Sequence, residues 1–269
     1  MTFEEYSSAG DVCTSDGEPI SSKQADMNEA YSALASVYDK YNSESSIPLA
    51  AIAKRRGMEI IAPAPGVAFL DMAAGTGDMA MCFFEYQDIA NHDAPSTATL
   101  VDLNADMLDI AKRRLGNTKW VKDGRVEFIE GNAEHISDIQ NSTFDIYCCY
   151  LGMHNMVHRD RALSEAMRVL KPGGKIYVAE FNTGTWRIGK VVRRLLVQFV
   201  LYLITGTIGD RTMSLRLNRS ALSFPSPPEF LQELKTAGFQ VEGQGYRSIA
   251  YGLAALFSGT KPVECGSVL

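Results

Sequence analysis

Residues 67–78 read VAFLDMAAGTGD: an apolar run ends in Asp71 and a glycine-rich turn, and a helical pattern follows at residues 78–90. Similar short apolar runs recur along the chain, at residues 98–103, 125–130, 144–151 and 174–181. Helical patterns at residues 105–115 and 159–170 separate them. Apolar strands that alternate with helices are typical of a parallel sheet buried on both faces. The sequence therefore predicts an α/β protein.

Composition excludes several other classes of protein. The 269 residues are 46% hydrophobic and 22% charged, which is typical of a globular chain and not of a disordered or coiled-coil one. The balance of 26 basic against 32 acidic residues argues against nucleic acid as a partner. Five scattered cysteines show no metal-ligand spacing, so we expect no metal site and no disulfide framework.

The glycine turn after the first strand predicts a ligand site. Gly75 and Gly77 allow a ligand close to the backbone, and the following helix directs its N-terminal N–H groups there. Asp102 ends the second strand, where a carboxylate can accept hydrogen bonds from ribose hydroxyls. Together these features indicate a cofactor that contains a nucleoside.

The same turn also fits a dinucleotide fingerprint, since Gly75, Gly77 and Ala80 have the relaxed spacing. Asp71 and Asp78 flank the glycines, however, and two carboxylates would repel a pyrophosphate. The pair suits a zwitterionic amino-acid ligand better and argues against a dehydrogenase. A plainer alternative is that Asp71 caps the turn and that the glycines only permit packing.

A third motif, GNAE at residues 131–134, directly follows the third strand. The Asn132 amide beside the small Ala133 could recognise the edge of an adenine ring. Alone the motif is compatible with an ordinary turn. After the glycine turn and Asp102 it strengthens the prediction of an adenosine cofactor.

These motifs together resemble those of a known family. The runs FLDMAAGTGD, VDLNADML, EGNAEHI, FDIYCCYLGMHN and RALSEAMRVLKPGGKIYVAEF are similar to those of class I S-adenosylmethionine-dependent methyltransferases. The flanking runs QADMNEAYSALASVYDKYN, FPSPPEFLQELKTAGF and YGLAALFSGTK resemble, more narrowly, the ubiquinone/menaquinone biosynthesis C-methyltransferase family. The resemblance covers residues 23–261. It implies a doubly wound, Rossmann-like, mostly parallel sheet of seven strands, with the last strand antiparallel and a helical N-terminal lid over the cofactor.

The resemblance also implies a domain organisation. We expect a loose polar leader at residues 1–25 and a single methyltransferase domain at residues 26–269. Its parts are a helical lid (26–60), a cofactor-binding core (66–181), a helical insertion at the acceptor site (182–225) and a C-terminal helix with closing strands (226–269).

Residue roles follow from the resemblance position by position. Asp71, Gly75, Thr76 and Gly77 would line the methionine end of S-adenosylmethionine. Asp102 would bind the ribose, Leu103 would pack on the adenine, and Asn132 with Ala133 would contact the adenine edge. Tyr150 occupies a cofactor-contacting position where a small serine is usual. Tyr38 would cover the cofactor from the lid, or would be a core tyrosine on a helix face.

The acceptor side departs from the family pattern. His154, in LGMHN at residues 151–155, stands where arginine is usual. Farther on, Ser214 and Arg216 replace tyrosines, Arg219 replaces a glutamate and Leu222 replaces an arginine. Methylation of an aromatic carbon requires removal of a phenolic proton, and His154, beside Asn155, is the candidate general base. Alternatively, His154 is an exposed loop residue or a packing substitute for arginine.

Residues 186–204, WRIGKVVRRLLVQFVLYLI, combine a basic cluster with an apolar run too short to span a bilayer. Such a segment suits the surface of an anionic membrane, where a polyprenyl substrate would be embedded. The alternative, which is compatible with membrane contact, is a lid helix buried against the sheet or in a dimer interface. The resemblance implies the matrix side of the inner mitochondrial membrane in a eukaryote, or the cytoplasmic face of the membrane in a bacterium. No signal or transit peptide is visible in residues 1–19.

The expected activity is therefore methyl transfer from S-adenosylmethionine to a ring carbon of a prenylated quinol precursor. One alternative is methylation of another hydrophobic small molecule. Another is a cofactor-binding scaffold with weak or no catalysis in a quinone biosynthesis complex. A homodimer is also compatible with the sequence.

Overall fold

The computed structural model describes residues 12–13, 19–43, 48–90, 95–182, 195 and 219–263. Its helices are α1 (Ser22–Ser43), α2 (Pro48–Ile61), α3 (Asp78–Ala90), α4 (Ala105–Leu115), α5 (Lys119–Lys122), α6 (Arg159–Val169) and α7 (Pro227–Thr236). Its strands are β1 (Val12–Cys13), β2 (Pro19–Ile20), β3 (Ala68–Met72), β4 (Thr97–Asp102), β5 (Val126–Glu130), β6 (Phe144–Tyr150), β7 (Leu170–Phe181), β8 (Tyr246–Ile249) and β9 (Ala254–Thr260).

Seven of these strands form one sheet in the order β5-β4-β3-β6-β7-β9-β8. The pairs from β5 through β7 are all parallel, whereas β9 lies antiparallel to both β7 and β8. The predicted seven-stranded, mostly parallel sheet with an antiparallel last strand is thereby confirmed. The chain leaves β3 for β4 on one side and later adds β6 on the other. Ligands bind at such a reversal of strand order, outside the carboxyl ends of the strands.

Both faces of the sheet are buried, as the continuous apolar strands predicted. Side chains alternate along β3, so that Leu70 packs into one core and Phe69 into the other, and neither is exposed to solvent. On the second face Phe69 stacks on Phe83 of α3, with ring centroids 4.4 Å apart. Phe84 stacks in turn on Trp120, at 5.0 Å. These cores fix the strand ends that carry the polar residues of the site.

The first helix begins earlier than the sequence indicated, at Ser22 instead of residue 26. The Ser21 hydroxyl accepts a hydrogen bond from the backbone N–H of Gln24, and the Gln24 side chain accepts one from the N–H of Ser21. This reciprocal cap explains the earlier start. Ile20, just before it, is buried. The end of the expected leader is therefore folded.

The KPGG run at residues 171–174 contains the residue types that predict a break between a helix and the fifth strand, but it lies inside β7. The pairing of β6 with β7 jumps from Phe144–Leu170 to Ile146–Lys175, so these residues form an irregularity in the strand. Gly173 has a positive φ of 80° and donates its N–H to the carbonyl of Lys261. The run therefore connects β7 to the backbone beyond β9.

Two strand-like runs at residues 239–248 and 251–259 predict the closing strands, and the strands observed there are shorter. Gln240 makes one isolated bridge to Thr260, and β8 starts only at Tyr246. Gly243 and Gly245 have positive φ values of 55° and 71°, and the turn they form interrupts the first run.

Several predictions lie outside the described residues. They concern residues 186–204, Ser214, Arg216 and the side chain of Tyr38, whose backbone belongs to α1. Over the ranges given above, the helices are all too short or too polar to cross a bilayer.

Candidate active site

A cleft opens at the carboxyl ends of β3 to β6, beneath α1 and α2, and encloses about 1170 Å³ including its mouth. It brings together most of the residues predicted for the cofactor and Asn155, predicted for catalysis. They are Asp71, Gly75, Thr76, Asp102, Leu103, Asn132, Ala133, Tyr150 and Asn155. Gly77 and His154 do not line it.

The two glycines of the turn have different tasks. Gly75 has a φ of 54°, and a Cβ added there would meet no atom within 4 Å, so its backbone faces the open cleft. Gly77 has a φ of 81°, but a Cβ there would lie 2.8 Å from Leu115 Cδ1 on α4. Gly77 therefore permits packing of the turn against α4. The expectation that it contacts the cofactor stays a prediction.

Asp71 lines the floor of the cleft and also caps a helix. Its carboxylate is 1% exposed and accepts a hydrogen bond from the backbone N–H of Ala80, at 3.0 Å, in the first turn of α3. Burial raises the pKa of Asp71 to about 7, and the nearby charges of Asp78 and Asp102 add to the effect. Asp71 therefore caps α3, as the plainer alternative predicted, and it also lines the cleft.

Asp102 organises the loops around the ribose position. One carboxylate oxygen accepts the N–H of Gly75 at 2.7 Å, and the other accepts the N–H of Asn104 at 2.8 Å. Burial raises the pKa of Asp102, against the opposing effect of these backbone donors. The N–H of Leu103 is a third backbone donor to Asp102, and since an ionised carboxylate can accept about four hydrogen bonds, capacity remains for the ribose.

Lys54 and Arg114 neutralise Asp78, and the sequence reasoning missed both. Lys54 of α2 pairs with one oxygen of Asp78, and Arg114 of α4 donates to the other at 2.7 Å. Although burial opposes it, the two cations hold the pKa of Asp78 below its usual value. The premise that Asp71 and Asp78 both present uncompensated charge to the ligand was therefore wrong. The repulsion of a pyrophosphate comes from Asp71 and Asp102 instead.

The lid helix α1 is attached over the cleft by side-chain amides. Gln24 donates to the Asn132 side-chain oxygen at 3.3 Å, which places the start of α1 over the expected adenine site. The Asn104 amide donates to the Asn28 side chain at 2.6 Å and to the Ser32 hydroxyl at 2.9 Å. The helical pattern predicted a helix here, and these contacts explain where it lies.

His154 lies behind the cleft wall and pairs with Glu180. Its Nδ1 lies 2.9 and 3.0 Å from the two carboxylate oxygens of Glu180, and its backbone N–H donates to the same carboxylate. The imidazole is 6% exposed, so the alternative of an exposed loop residue is wrong. Glu180 is fully buried in β7, and its single signal in the sequence is an acid inside the apolar run GKIYVAEF.

Asn155 lines the cleft itself and is held from two sides. Its amide donates to the Tyr31 hydroxyl of α1 at 2.9 Å, and its side-chain oxygen accepts from the Ser220 hydroxyl at 3.0 Å. Ser220 also donates to the backbone carbonyl of His154. Asn155 thus connects the lid, the end of β6 and the segment that follows residue 218.

Tyr150 places a bulky phenol in the cleft at the end of β6. Its Cε2 lies 3.5 Å from the position a Cβ would take on Gly57, so the ring reaches α2. Burial raises the pKa of Tyr150, which keeps the phenol neutral. The departure from a small residue therefore narrows the cleft between β6 and α2.

The charges of the cleft fit S-adenosylmethionine. Its lining contains the carboxylates of Asp71, Asp78 and Asp102 and the ammonium of Lys54. S-adenosylmethionine carries a sulfonium, an ammonium and one carboxylate, and its net positive charge complements this excess of acid. A dianionic pyrophosphate would be repelled by this acidic lining. Within the described ranges, His, Cys, Asp and Glu side chains form no group of three or more that could hold a metal ion.

The strand order and this site define the class I methyltransferase fold, and solved structures agree. The [4+2]-cyclase SpnF has a TM-score of 0.64 at 17% identity, over 91% of this chain and 98% of that one. A SAM-dependent methyltransferase from Aquifex aeolicus has a TM-score of 0.56 at 12% identity, over 82% and 97% of the two chains. At these identities the likeness concerns the fold alone.

The sequence itself shows the family. The model of the ubiE/COQ5 methyltransferase family matches residues 20–261, and the chain belongs to this family. The mitochondrial 2-methoxy-6-polyprenyl-1,4-benzoquinol methylase of Schizosaccharomyces pombe is 31% identical over 248 residues, 90% of this chain and 81% of that protein. The ubiquinone/menaquinone biosynthesis C-methyltransferase UbiE of Brucella anthropi is 33% identical over 244 residues, 90% and 89% of the two chains. The predicted family, methyltransferase class and cofactor are confirmed.

Proposed function

We propose that this protein transfers a methyl group from S-adenosylmethionine to a ring carbon of a prenylated benzoquinol or naphthoquinol. The observation that carries the proposal is the cleft in which Asp71, Gly75 and Asp102 meet beneath α1. Its net negative charge suits the cofactor. The names of the Schizosaccharomyces pombe and Brucella anthropi relatives support a quinol as the acceptor.

The residues of the cleft bind and orient the two reactants. Bound S-adenosylmethionine supplies an electrophilic methyl group. Asp102 would accept hydrogen bonds from the ribose hydroxyls. Asp71 would stabilise the positive charge at the methionine end of the cofactor. Tyr150 and Met156 line the same cleft, where their side chains would limit the access of water to the reactants. Positioning of this kind can contribute about 7–11 kcal/mol to lowering a bimolecular barrier.

We assign Asn155 as the polar group that contacts the acceptor. Its amide is already oriented between Tyr31 and Ser220, so a quinol oxygen would meet a preorganised side chain. His154 and Glu180 form a buried pair directly behind it. This geometry favours a positioning role for His154. Its role as general base stays a prediction and is tested below.

We further propose that one domain carries the whole activity and works at a membrane surface, because a polyprenyl acceptor would be embedded there. Residues 186–204 are the candidate contact, because their basic cluster would be attracted to anionic lipid. In a eukaryote this would be the matrix side of the inner mitochondrial membrane, and in a bacterium the cytoplasmic face of the membrane. A homodimer or a biosynthetic complex remains compatible with this arrangement.

The experiment incubates the protein with S-adenosylmethionine and a short-chain quinol that lacks the ring methyl group, kept reduced. Mass spectrometry should detect a product that is one methyl group heavier. Cofactor binding without turnover on any such quinol would favour the alternative that the protein is a cofactor-binding scaffold. Turnover on a compound that is not a quinone would favour methylation of another hydrophobic small molecule. Tight binding of NADH would instead support the alternative that the glycine turn binds a dinucleotide, as in a dehydrogenase.

The first prediction concerns Asp102→Asn, which keeps the side chain's size and removes its charge. Charge-assisted hydrogen bonds contribute roughly 1.5–3 kcal/mol each, so calorimetry should give an affinity for S-adenosylmethionine about 10- to 100-fold lower. The matched control is Asp109→Asn on α4, whose side chain is 58% exposed and pairs with Lys112. An unchanged affinity of Asp102→Asn would contradict the assignment of the ribose site.

A further inference from the structure

Lys54 is a charged side chain of the cleft to which nothing above assigns a ligand. It extends from α2 to the glycine turn, where its ammonium pairs with Asp78, and its side chain is 16% exposed. Among the described residues that line the cleft, it is the single lysine or arginine. Holding a cation in so buried a place costs desolvation energy, which the pair with Asp78 offsets.

Asp78 does not depend on Lys54 alone. Arg114 donates to the other carboxylate oxygen of Asp78 at 2.7 Å and to the backbone carbonyl of Thr76, also at 2.7 Å. Arg114 does not line the cleft, so it stays with Asp78 whatever occupies the site. Lys54 can therefore turn toward a ligand without leaving a buried carboxylate uncompensated.

The position of this pair identifies the part of the ligand that Lys54 would meet. Asp78 and Thr76 follow Gly75 on the turn, whereas Asp102 and Asn132, assigned to ribose and adenine, lie at the ends of β4 and β5. The turn is thus the end of the cleft where the amino-acid part of the cofactor would lie. That part carries a carboxylate, and the acidic lining offers it one cation.

We propose that Lys54 binds the α-carboxylate of the methionine moiety and leaves Asp78 to Arg114 when it does so. The proposal rests on the proposed function, since it concerns the same cofactor. Because Lys54 belongs to α2, binding of the amino-acid end connects this helix to the cofactor. Gly57, on which Tyr150 packs, lies on the same helix.

The test compares two ligands on Lys54→Gln by calorimetry. S-adenosylhomocysteine contains the amino-acid carboxylate, whereas 5′-methylthioadenosine keeps the nucleoside and the thioether but lacks the amino acid. The substitution should lower the affinity for S-adenosylhomocysteine about 10-fold or more. The affinity for 5′-methylthioadenosine should stay within about 2-fold of that of the parent protein. The matched control is Arg55→Gln, the next residue of α2, whose side chain is 72% exposed; it should change neither affinity.

A third ligand isolates the carboxylate. Decarboxylated S-adenosylhomocysteine should bind the parent protein and Lys54→Gln equally well, and Lys54→Arg should keep more affinity for S-adenosylhomocysteine than Lys54→Gln does. The proposal would be overturned if Lys54→Gln lowered the affinity for all three ligands equally, or if it left the affinity for S-adenosylhomocysteine unchanged. If the parent protein bound none of the three adenosine ligands, the proposed function itself would fail.

Discussion

At the scale of single residues, Asp71 connects pH to cofactor binding. Its pKa of about 7 results from burial next to Asp78 and Asp102. A bound sulfonium or ammonium stabilises the ionised form and lowers this pKa, so binding below about pH 7 releases a proton. The affinity for S-adenosylmethionine should therefore rise with pH up to about 7 and level off above it.

Calorimetry in two buffers of different ionisation enthalpy measures the protons released. The expected release is largest between the pKa of the free Asp71 carboxyl, about 7, and its lower pKa in the complex, and it vanishes at higher pH. Asp71→Asn cannot titrate, so it should bind more weakly and without this pH dependence. An affinity of the parent protein that is constant between pH 5.5 and 8 would show that Asp71 does not titrate on binding.

His154 provides the second prediction at this scale. His154→Gln cannot take a proton, and turnover should fall on the order of 10²-fold while cofactor affinity stays nearly constant. His154→Arg decides between the two roles, because arginine can pair with Glu180 but cannot act as a base. We expect this variant to keep the activity and the pH–rate profile of the parent.

The opposite result would restore the general base. If His154→Arg were inactive, and if His154→Gln lost the decline in rate where imidazoles titrate, His154 would be the proton acceptor. Glu180→Gln adds a control, since it replaces the carboxyl group that contacts the imidazole and leaves the side chains that line the cleft unchanged.

The site could be predicted from sequence where a residue follows a strand. Asp71, Gly75, Asp102 and Asn132 were identified because the carboxyl ends of parallel strands meet at one edge of a sheet. Lys54 and Tyr31 could not be identified in this way. Lys54 reaches the cleft from α2 and Tyr31 from α1. The placement of these helices depends on contacts between residues far apart in the chain, and a single sequence does not reveal such contacts.

At the scale of elements, α1 is a lid attached by a few polar contacts and a small apolar cluster. Met27, Ala30 and Ala35 pack against Met107 and Ile110 of α4. Side-chain hydrogen bonds to Asn104, Asn132 and Asn155 add to this attachment. A helix held in this way can open without disturbing the main cores of the sheet.

Tyr31→Phe tests this lid with the loss of a single hydroxyl. It removes the hydrogen bond from Asn155, which is worth about 0.5–1.5 kcal/mol, so release of S-adenosylhomocysteine should be about 2- to 10-fold faster. Stopped-flow displacement measures the rate. Tyr251→Phe, at a position 89% exposed, is the control. An unchanged dissociation rate in Tyr31→Phe would show that this contact does not hold the lid closed.

Element boundaries were less predictable than element order. The KPGG run reads as a break because proline and glycine interrupt regular structure. It is tolerated inside β7 because Gly173 and Gly174 hydrogen-bond to Lys261, which lies beyond β9. Similarly, the start of α1 depends on the side chains of Ser21 and Gln24. Local propensity does not include partners of either kind.

At the scale of the whole molecule, the order of the strands explains why the cofactor residues could be found at all. The central strands β3, β4 and β6 run in parallel, so one edge of the sheet collects their carboxyl ends. The acceptor side is different, because the residues proposed for it, such as Asn155, follow β6 in a turn and are held by side chains from distant parts of the chain, Tyr31 and Ser220. Most of the departures from the family pattern were expected on this side, whereas Tyr150 is the departure expected on the cofactor side.

The position of β9 has a consequence for synthesis on the ribosome. In the described sheet, β8 hydrogen-bonds to β9 alone, and β9 is also the partner of β7 on that side. A nascent chain that has released everything up to Gly252 therefore exposes two strands with open edges, and such edges promote association with other chains. Folding can be completed only after Ala254–Thr260 emerge. A pause in translation just before this point would prolong the period in which the unfinished protein needs a chaperone.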